Sequence, residues 1–563
     1  MRRRRPEPPA PRSAGRPPRG RPGSRGLGVR DLLVGAVVVA AVATPWHGSR
    51  PVEAADAPAA PAVPAPPDEV AAYFTSPKGP VPTLRLTISA ADCATLDAAP
   101  KTWVRATLRE GERVVYEDVG VHLKGSAGSF RPLSDKPGLT VRMDKFVKSQ
   151  RFHGLAKFHL NNGVQDPTYL NEFVAAEVFQ AAGIPAPRAM HARVHLNGRD
   201  LGAYVLKEGY DKRFLRDRFP SPDGNLYDGG FCTDIDTDLE KDEGKDPDDR
   251  ADLAALLAAC QETDPVKARA GIAAHLDVDA FLRFMALERM LGHWDGYCMN
   301  RNNYRIFVPA SGRAVFLPHG ADQLLGDVKA PILDEPIGIV AVAVLRDAAW
   351  QAEYRRQIQA VLPLFTKPER LFKRLDEASR RAGPALAGAD GGPQPGQIKS
   401  RFAARAKNLV AQAALPSPKP LDLDVGEAHR VQAWRPVVEA GGAKLTQTVF
   451  GADRVLRLEA GSQGDTTASW RGRVLLAPGT YRFEAGVQAN GVVATQGPVA
   501  GGLGVRVAGA TEAPRLAGTT GWKTQRVTFT VAETRNVELS VELLASAGVG
   551  VAKLNALRVV RER

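Results

Sequence analysis

The sequence predicts an α+β fold in series with an all-β one: a two-lobed region over residues 70–415, then a β-sandwich of jelly-roll type over 421–563. Three observations predict it. Between Leu84 and Lys207, short stretches of alternating apolar and polar residues surround a single helical pattern. From Asp277 onward the apolar spacing becomes helical. Beyond Pro416–Pro420 (PSPKP), charged helices give way to strict alternation such as Tyr481-x-Phe483-x-Ala485-x-Val487.

Ahead of these regions lie a basic N-terminus with an apolar segment (1–50) and a Pro/Ala-rich linker (51–69). Residues 1–30 hold ten Arg and one Glu, so only +4 of the formal net charge of +13 belongs to the remaining chain. That near balance argues against a dedicated nucleic-acid binder, whose charge would lie on the fold. Leu32–Thr44 is a thirteen-residue apolar run, short of a membrane span. With its basic flank and Ala-x-Ala sites at Ala41–Ala43 and Ala55–Ala57, it reads as a secretory signal or, uncleaved, an anchor. A secreted or cell-surface location follows, with the membrane touched only through this segment. Cys93, Cys232, Cys260 and Cys298 form no Cys-x-x-Cys, so zinc is not indicated; on export they could pair in three ways.

In the first region, Leu84–Ile88, Val104–Leu108 and Val114–Leu123 have strand character. The third runs into Lys124-Gly125-Ser126-Ala127-Gly128-Ser129, where small residues would let backbone N–H groups approach phosphate oxygens, or simply form a hairpin turn. Leu139–Met143 and Ala156–Leu160, carrying Lys157, add two strands. Asp166-Pro167 predicts a helix start, with Leu170, Phe173, Val174 and Val178 on the buried face and Glu172 and Glu177 riding on it. Ala192–Leu196 and Gly202–Lys207 flank Asn197-Gly198, a two-residue hairpin signal. Lys207-Glu208 falls where a hinge between lobes is expected. In the acidic stretch 232–250, Asp234-x-Asp236-x-Asp238 resembles a calcium loop but carries Leu239 and Lys245 where Gly and Glu are needed. Asp277 caps a helix ending near Gly292, with Phe281, Leu282, Met285 and Met290 at core spacing. Tyr354–Leu364 and Ile398–Leu409 are further helices.

The stretch from His293 to Tyr304 (HWDGYCMNRNNY) places Asn300 five residues after Asp295, and Asp322 follows the strand Val315–Pro318. Phosphoryl transfer needs such a set: a carboxylate that orients the hydroxyl, and an amide and second carboxylate that hold magnesium on a triphosphate. Turn aspartates and amide caps in a polar loop are the alternative. Protein kinases use Asp-x-x-x-x-Asn followed by a strand and a metal-binding Asp.

LKGSAGS (123–129), FHGLAKFHLNN (152–162), GIPAPRA (183–189), HLNGRDLGAYVLKEGYDKRF (195–214), GNLYDGG (224–230) and HWDGYCMNRNNYRIF (293–307) occur in one order over roughly residues 80–410. In them the chain resembles the spore-coat-protein CotH kinases, atypical members of the kinase-like fold. The resemblance implies ATP- and Mg2+-dependent phosphorylation of Ser or Thr hydroxyls of a protein substrate. It implies that Asp295 is the catalytic carboxylate, Asn300 a metal ligand and Asp322 the second metal-binding aspartate. Lys124, Lys157, Glu172 and Glu208 are the expected ATP-binding residues: Lys157 paired with Glu172 on the phosphates, Lys124 its competitor, and the backbone at Glu208 near adenine. Many members read Pro-Trp-Asp-x-Asp where this chain has Pro318-His319-Gly320-Ala321-Asp322, so the first aspartate is missing. The alternative function is therefore a catalytically inactive surface scaffold or carbohydrate-binding protein. His293 and His319 flank the site and read as hydrogen-bonded structural histidines.

In the last region, LLAPGTYRFEAGVQANG (475–491), Gly521-Trp522 and LNALRVV (554–560) look like a carbohydrate-binding jelly roll. A cell-surface polysaccharide is its expected partner, with Trp434, Trp470 and Trp522 available as sugar platforms or as core.

Overall fold

The strands expected before Lys207 all form: β1 (Thr83–Ile88), β2 (Val104–Glu110), β3 (Val114–Lys124), β4 (Gly138–Arg142), β5 (Lys157–Asn161), β6 (Ala189–Leu196) and β7 (Arg199–Glu208). They run in the order β1-β2-β3-β4-β5-β7-β6, and parallel pairing of β1 with β6 closes them into a barrel. Closure leaves no exposed edge. Leu86, Leu108, Val121, Leu139, Phe158 and Tyr204 fill the interior. The Asn197-Gly198 turn forms with both residues at positive φ (48° and 81°), and Asn197 Oδ1 accepts from Ile88 N at 2.8 Å, tying the hairpin to β1. The computed structural model describes residues 69–563 except 76–80, 127, 311, 387–392, 463, 497–499, 509 and 511–512. The expected signal or anchor at Leu32–Thr44 and the linker up to residue 68 lie outside the described residues. Among those described, no helix is long and apolar enough to cross a membrane.

Asp166 does not open the helix that follows β5. Its carboxylate accepts from the N–H of Thr168 (3.0 Å) and of Asn171 (2.8 Å), holding a tight turn in which Tyr169 takes φ +54°. The helix begins only at Asn171 and runs to Ala181. Its buried Val174 and Val178 join Phe281, Met285, Ile358, Phe402 and Leu409 in the core of the helical body. Phe173 packs against the barrel core as well, so this helix sits between the two lobes.

The helical body is built on Val278–Met290, capped by Asp277, whose carboxylate accepts from Ala280 N (3.2 Å). Ala348–Val361 and Pro395–Ala413 provide the later helices, the former broken before Pro363. A four-stranded sheet in the order β11-β10-β8-β9 lies beside them: β8 (Gly224–Asp228), β9 (Glu240–Glu243), β10 (Tyr304–Pro309) and β11 (Val315–Pro318). The acidic stretch is thus no calcium loop. Asp234 is fully buried and accepts from Tyr297 Oη (3.1 Å), Ile235 N and Ile339 N (both 2.8 Å), which makes it a structural clamp.

After Ala413 the chain has no regular structure until Leu421, whose N–H donates to Leu475 O (2.8 Å). Beyond it, the regular elements among the described residues are strands and one short 3-10 turn. The strand Arg535–Lys553 runs through the whole unit. Its first part pairs with Thr466–Leu476 and Gly502–Val507; its last part pairs with Asp453–Glu459 beyond Gly548 (φ +102°) and with Gly479–Ala494 on both sides of that glycine. One strand thereby serves both layers of the sandwich, around a core that includes Tyr481, Phe483, Val541 and Leu543. Trp434 and Trp470 belong to that core. Each is buried and donates its indole N–H to a carbonyl, of Val431 (2.9 Å) and Arg457 (3.1 Å). They are not sugar platforms. Trp522 alone is half-exposed, edge-on to Phe450 with the Lys553 ammonium 4.5 Å from its ring.

Candidate functional site

A cleft of about 650 Å³ opens between the barrel and the helical body, lined by Lys124, Lys157, Asn161, Glu172, Asp295, Asn302, Asn303 and Asp322 among others. Its barrel wall follows from strand alternation. On β5, Phe158 and Leu160 are fully buried, which turns Lys157, His159 and Asn161 toward the cleft.

The four groups at the deep end form one network. Lys207 Nζ donates to Glu172 Oε2 (2.8 Å), Asn161 Nδ2 donates to Glu172 Oε1 (3.1 Å), and Lys124 Nζ donates to Asn161 Oδ1 (2.5 Å). The expected Lys157–Glu172 pair does not form. Asn161 is the β5 residue that reaches Glu172, and Lys157 lies four residues earlier, roughly 13 Å back along the strand. Lys157 instead faces Asp242 of β9 at 3.6 Å. Asp242 also faces Arg305 of β10 at 3.5 Å. Burial raises the Asp242 carboxyl, but Lys157 and Arg305 outweigh it and hold the group below its ordinary value.

Glu208 does not line the cleft. It is the last residue of β7, opposite Phe158 of β5, and its N–H is spent on Arg188 O. Its buried carboxylate is held by Arg188 (3.3 Å) and Arg218 (2.6 Å). Its N–H and its carboxylate are thus both committed within the barrel wall.

Asp295 is oriented by three amides. Asn300 Nδ2 donates to Oδ1 (2.6 Å); Asn302 Nδ2 and Asn303 Nδ2 donate to Oδ2 (3.1 and 2.8 Å). The turn that supplies them is anchored from below by buried Glu288, whose carboxylate accepts from Tyr297 N (2.8 Å) and Cys298 N (2.7 Å). Gly296 is required there, because a Cβ would lie 2.3 Å from Glu288 Oε1. Arg405, fully buried, closes the preceding helix by donating to the carbonyls of Met290 (2.9 Å) and Arg289 (2.7 Å). Burial pushes the Cys298 thiol well above its ordinary value, so it is inert. Asn300 was the expected metal ligand, yet Asn302 and Asn303 are the amides that line the cleft beside Asp295.

Asp322 stands across from them. Burial and the neighbouring Glu172 push its carboxyl up to about 6, against the pull of Lys124 and Lys207. Burial and Lys207 push the Lys124 ammonium down to about 8, against Glu172 and Asp322. Both groups are thus held in an unfavourable charge state, a pattern found at functional sites. At Gly320, where the missing aspartate would fall, an added Cβ would lie 2.1 Å from Asn303 Oδ1. Asn303 has taken that space. His293 Nε2 lies 3.1 Å from Gly320 O, as a structural histidine should. His319 lines the cleft with Nδ1 unpartnered, and burial holds its imidazole well below the ordinary value, hence neutral.

Among the described residues, no three His, Cys, Asp or Glu side chains converge as a cage for a metal ion. Magnesium needs no such cage: one or two carboxylates, substrate phosphates and water suffice. Asp322 offers a carboxylate. Beside it, Asn171 donates Nδ2 to Asp322 O (2.6 Å) and leaves its buried Oδ1 without a partner. This hard-oxygen set fits magnesium. Sequence reasoning missed Asn161, Lys207, Asn302 and Asn303. The β5 alternation carried a signal for Asn161, and the Asn302-Asn303 doublet next to Asn300 a weaker one.

A strand barrel facing a helical body across a cleft, with a buried Lys–Glu pair, an amide-held aspartate and a second aspartate, defines a kinase-like protein. Residues 121–387 match the family model described as CotH kinase protein. Inner spore coat protein H of Bacillus subtilis (strain 168) is 26% identical over 175 residues, covering 28% of this chain and 48% of that protein. Invasin CotH2 of Rhizopus delemar is 25% identical over 240 residues, covering 36% of this chain and 40% of that protein. The chain thus spans half or less of the length of these two relatives. The xylan-binding CBM22-1 domain of Paenibacillus barcinonensis Xyn10C is 11% identical with a TM-score of 0.18, covering 26% of this chain and 99% of that domain.

Proposed function

We propose that the chain transfers the γ-phosphoryl group of ATP to Ser or Thr hydroxyls of secreted or cell-surface proteins. One observation carries the reading: an aspartate held by three amides shares a single cleft with Lys124, Glu172 and Asp322. Asp295 orients the acceptor hydroxyl and receives its proton as the new O–P bond forms and the bond to ADP breaks. Lys124 approaches the phosphates, while Glu172, itself held by Lys207, keeps Asn161 and Lys124 in place. Asp322, with the Asn171 amide oxygen and an amide of the 300–303 run, would hold Mg2+, which when bound neutralises charge on the phosphates. The surface location is supported by the names of the two relatives, a spore coat protein and an invasin. Any polysaccharide contact of the sandwich falls to Trp522.

The test is incubation of the purified protein with labelled ATP, Mg2+ and a Ser/Thr-containing protein. Wild type should transfer label, and Asp295→Ala should lower the rate by about 10²–10⁴ while still binding nucleotide. Equal transfer by the two proteins would remove Asp295 from the chemistry. No transfer by either, with nucleotide still bound, would favour the scaffold reading, for which the missing aspartate of Pro318–Asp322 speaks.

A further inference from the structure

A second groove, of about 700 Å³, runs from the cleft around the outside of the barrel to the helix Lys212–Arg218. Arg142 and Lys157 line both cavities, so the groove and the catalytic cleft share a wall. Six cationic side chains border it: Arg142, Arg151, Lys157, Lys212, Arg213 and Arg216.

Four acidic side chains also line it, and two of the cations are paired from outside it, Lys157 with Asp242 (3.6 Å) and Arg213 with Asp217 (2.8 Å). Asp144 is engaged by Arg142 (3.0 Å) and Arg151 (3.5 Å). Asp211 is spent as the cap of the helix, accepting from Phe214 N (2.9 Å). Burial pushes the carboxyls of Asp211 and Glu243 upward. Glu69 is exposed at the rim. Lys212 and Arg216 are exposed and form no ion pair among the described residues. Arg151 is exposed too, its guanidinium also donating to the carbonyls of Lys148 (3.0 Å) and Gln150 (2.7 Å), which fixes its direction.

We propose that this groove binds a phosphate group already present on the acceptor chain, so that a singly phosphorylated acceptor is preferred over an unmodified one. The inference rests on the kinase reading of the neighbouring cleft. Arginines and lysines on a rigid wall suit a phosphate dianion, the arginines through paired N–H donors. Because the groove and the cleft share Arg142 and Lys157, a chain held there by its phosphate can lay a nearby hydroxyl toward Asp295. Successive serines of one chain would then be modified in turn.

The test is a fluorescence-anisotropy titration of the full chain, without nucleotide, using a labelled Gly/Ser peptide with one phosphoserine and its unmodified twin. The phosphopeptide should bind at least about tenfold more tightly. Lys212→Glu with Arg216→Glu should abolish the difference and leave Mg-ATP affinity and the melting temperature unchanged, since both residues are exposed, form no ion pair among the described residues and lie away from Asp295, Asp322 and Lys124. Inorganic phosphate should compete only weakly. Equal affinity of the two peptides overturns the proposal. So does displacement of the phosphopeptide by ATP, which would place it in the nucleotide cleft, or competition by free phosphate as strong as by the peptide, which would make this a free-anion site. None of these readouts requires turnover, so an inactive cleft and a non-binding groove give different results.

Discussion

The cleft and the sandwich both bury carboxylates beside basic side chains, with opposite outcomes. In the sandwich, burial raises the Glu484 carboxyl, but hydrogen bonds from Arg526, Arg558 and Arg482 outweigh it and hold the group below its ordinary value. Glu542 behaves alike, with Arg506 and Arg515 (both 2.7 Å) overcoming burial. At the deep end of the cleft burial wins: Asp322 is pushed up and Lys124 down although each feels the other. The difference is in the count of partners. A carboxylate with two or three guanidiniums is fully compensated and stabilises the fold; one sharing its site with a second carboxylate is left wanting positive charge. That unmet demand is what a metal–phosphate ligand would relieve.

The sharpest way to break this contrast is to exchange lysines. Lys124→Met should lower phosphoryl transfer by about 10²–10³, the cost of removing a preorganised donor. Lys157→Met should cost less than about tenfold, because its partner is Asp242 at the far end of the cleft. Steady-state rates at saturating ATP decide it, and a reversed order would return the phosphate-gripping role to β5.

Asp322→Asn probes the other half of the pair. Magnesium-dependent ATP binding, measured by calorimetry, should be lost. Stability should move the other way. A carboxyl raised from 3.8 to about 6 in the fold is protonated below about pH 4 in both states, and its ionisation increasingly opposes folding as the pH rises to 6. The variant should therefore melt about 2–4 °C higher than wild type at pH 7.5 and level with it at pH 4. A lower melting temperature at pH 7.5 would mean that Asp322 is compensated after all.

The sandwich should show the opposite sign. Its depressed carboxyls contribute stability above about pH 4.5 that is lost as the pH falls through their lowered values. A fragment of residues 420–563 should fold cooperatively at pH 7, with a melting temperature falling steeply below pH 4.5 by circular dichroism. A non-cooperative fragment would make the sandwich part of the kinase region's core and move the proposed boundary at Pro416–Pro420. The smallest effect concerns the ion pairs between the two, Arg473–Glu335 at 2.7 Å and Arg269–Glu533 at 3.3 Å. Glu335→Ala should shift the melting temperature of the whole chain by no more than about 2 °C, since half-exposed pairs contribute little.

Local patterning by itself determined the strands of the barrel, the Asn197-Gly198 turn, the Asp277 cap, the alternating strands beyond residue 420 and the position of Asp295. Each depends on neighbours a few residues apart, where side-chain period and turn chemistry suffice. Alternation also turned Lys157 toward the cleft, as expected, but could not say how far along β5 the partner helix would cross. That distance was decided by the turn at Asp166–Tyr169, which delays the helix to Asn171 and sets Glu172 against Asn161 and Lys207. The fate of Glu208, of Trp434 and Trp470, and of Asn303 in the space above Gly320 was tertiary too. In each case the chemistry of the residue fits both a site and a core, and only the packing of distant segments chose between them.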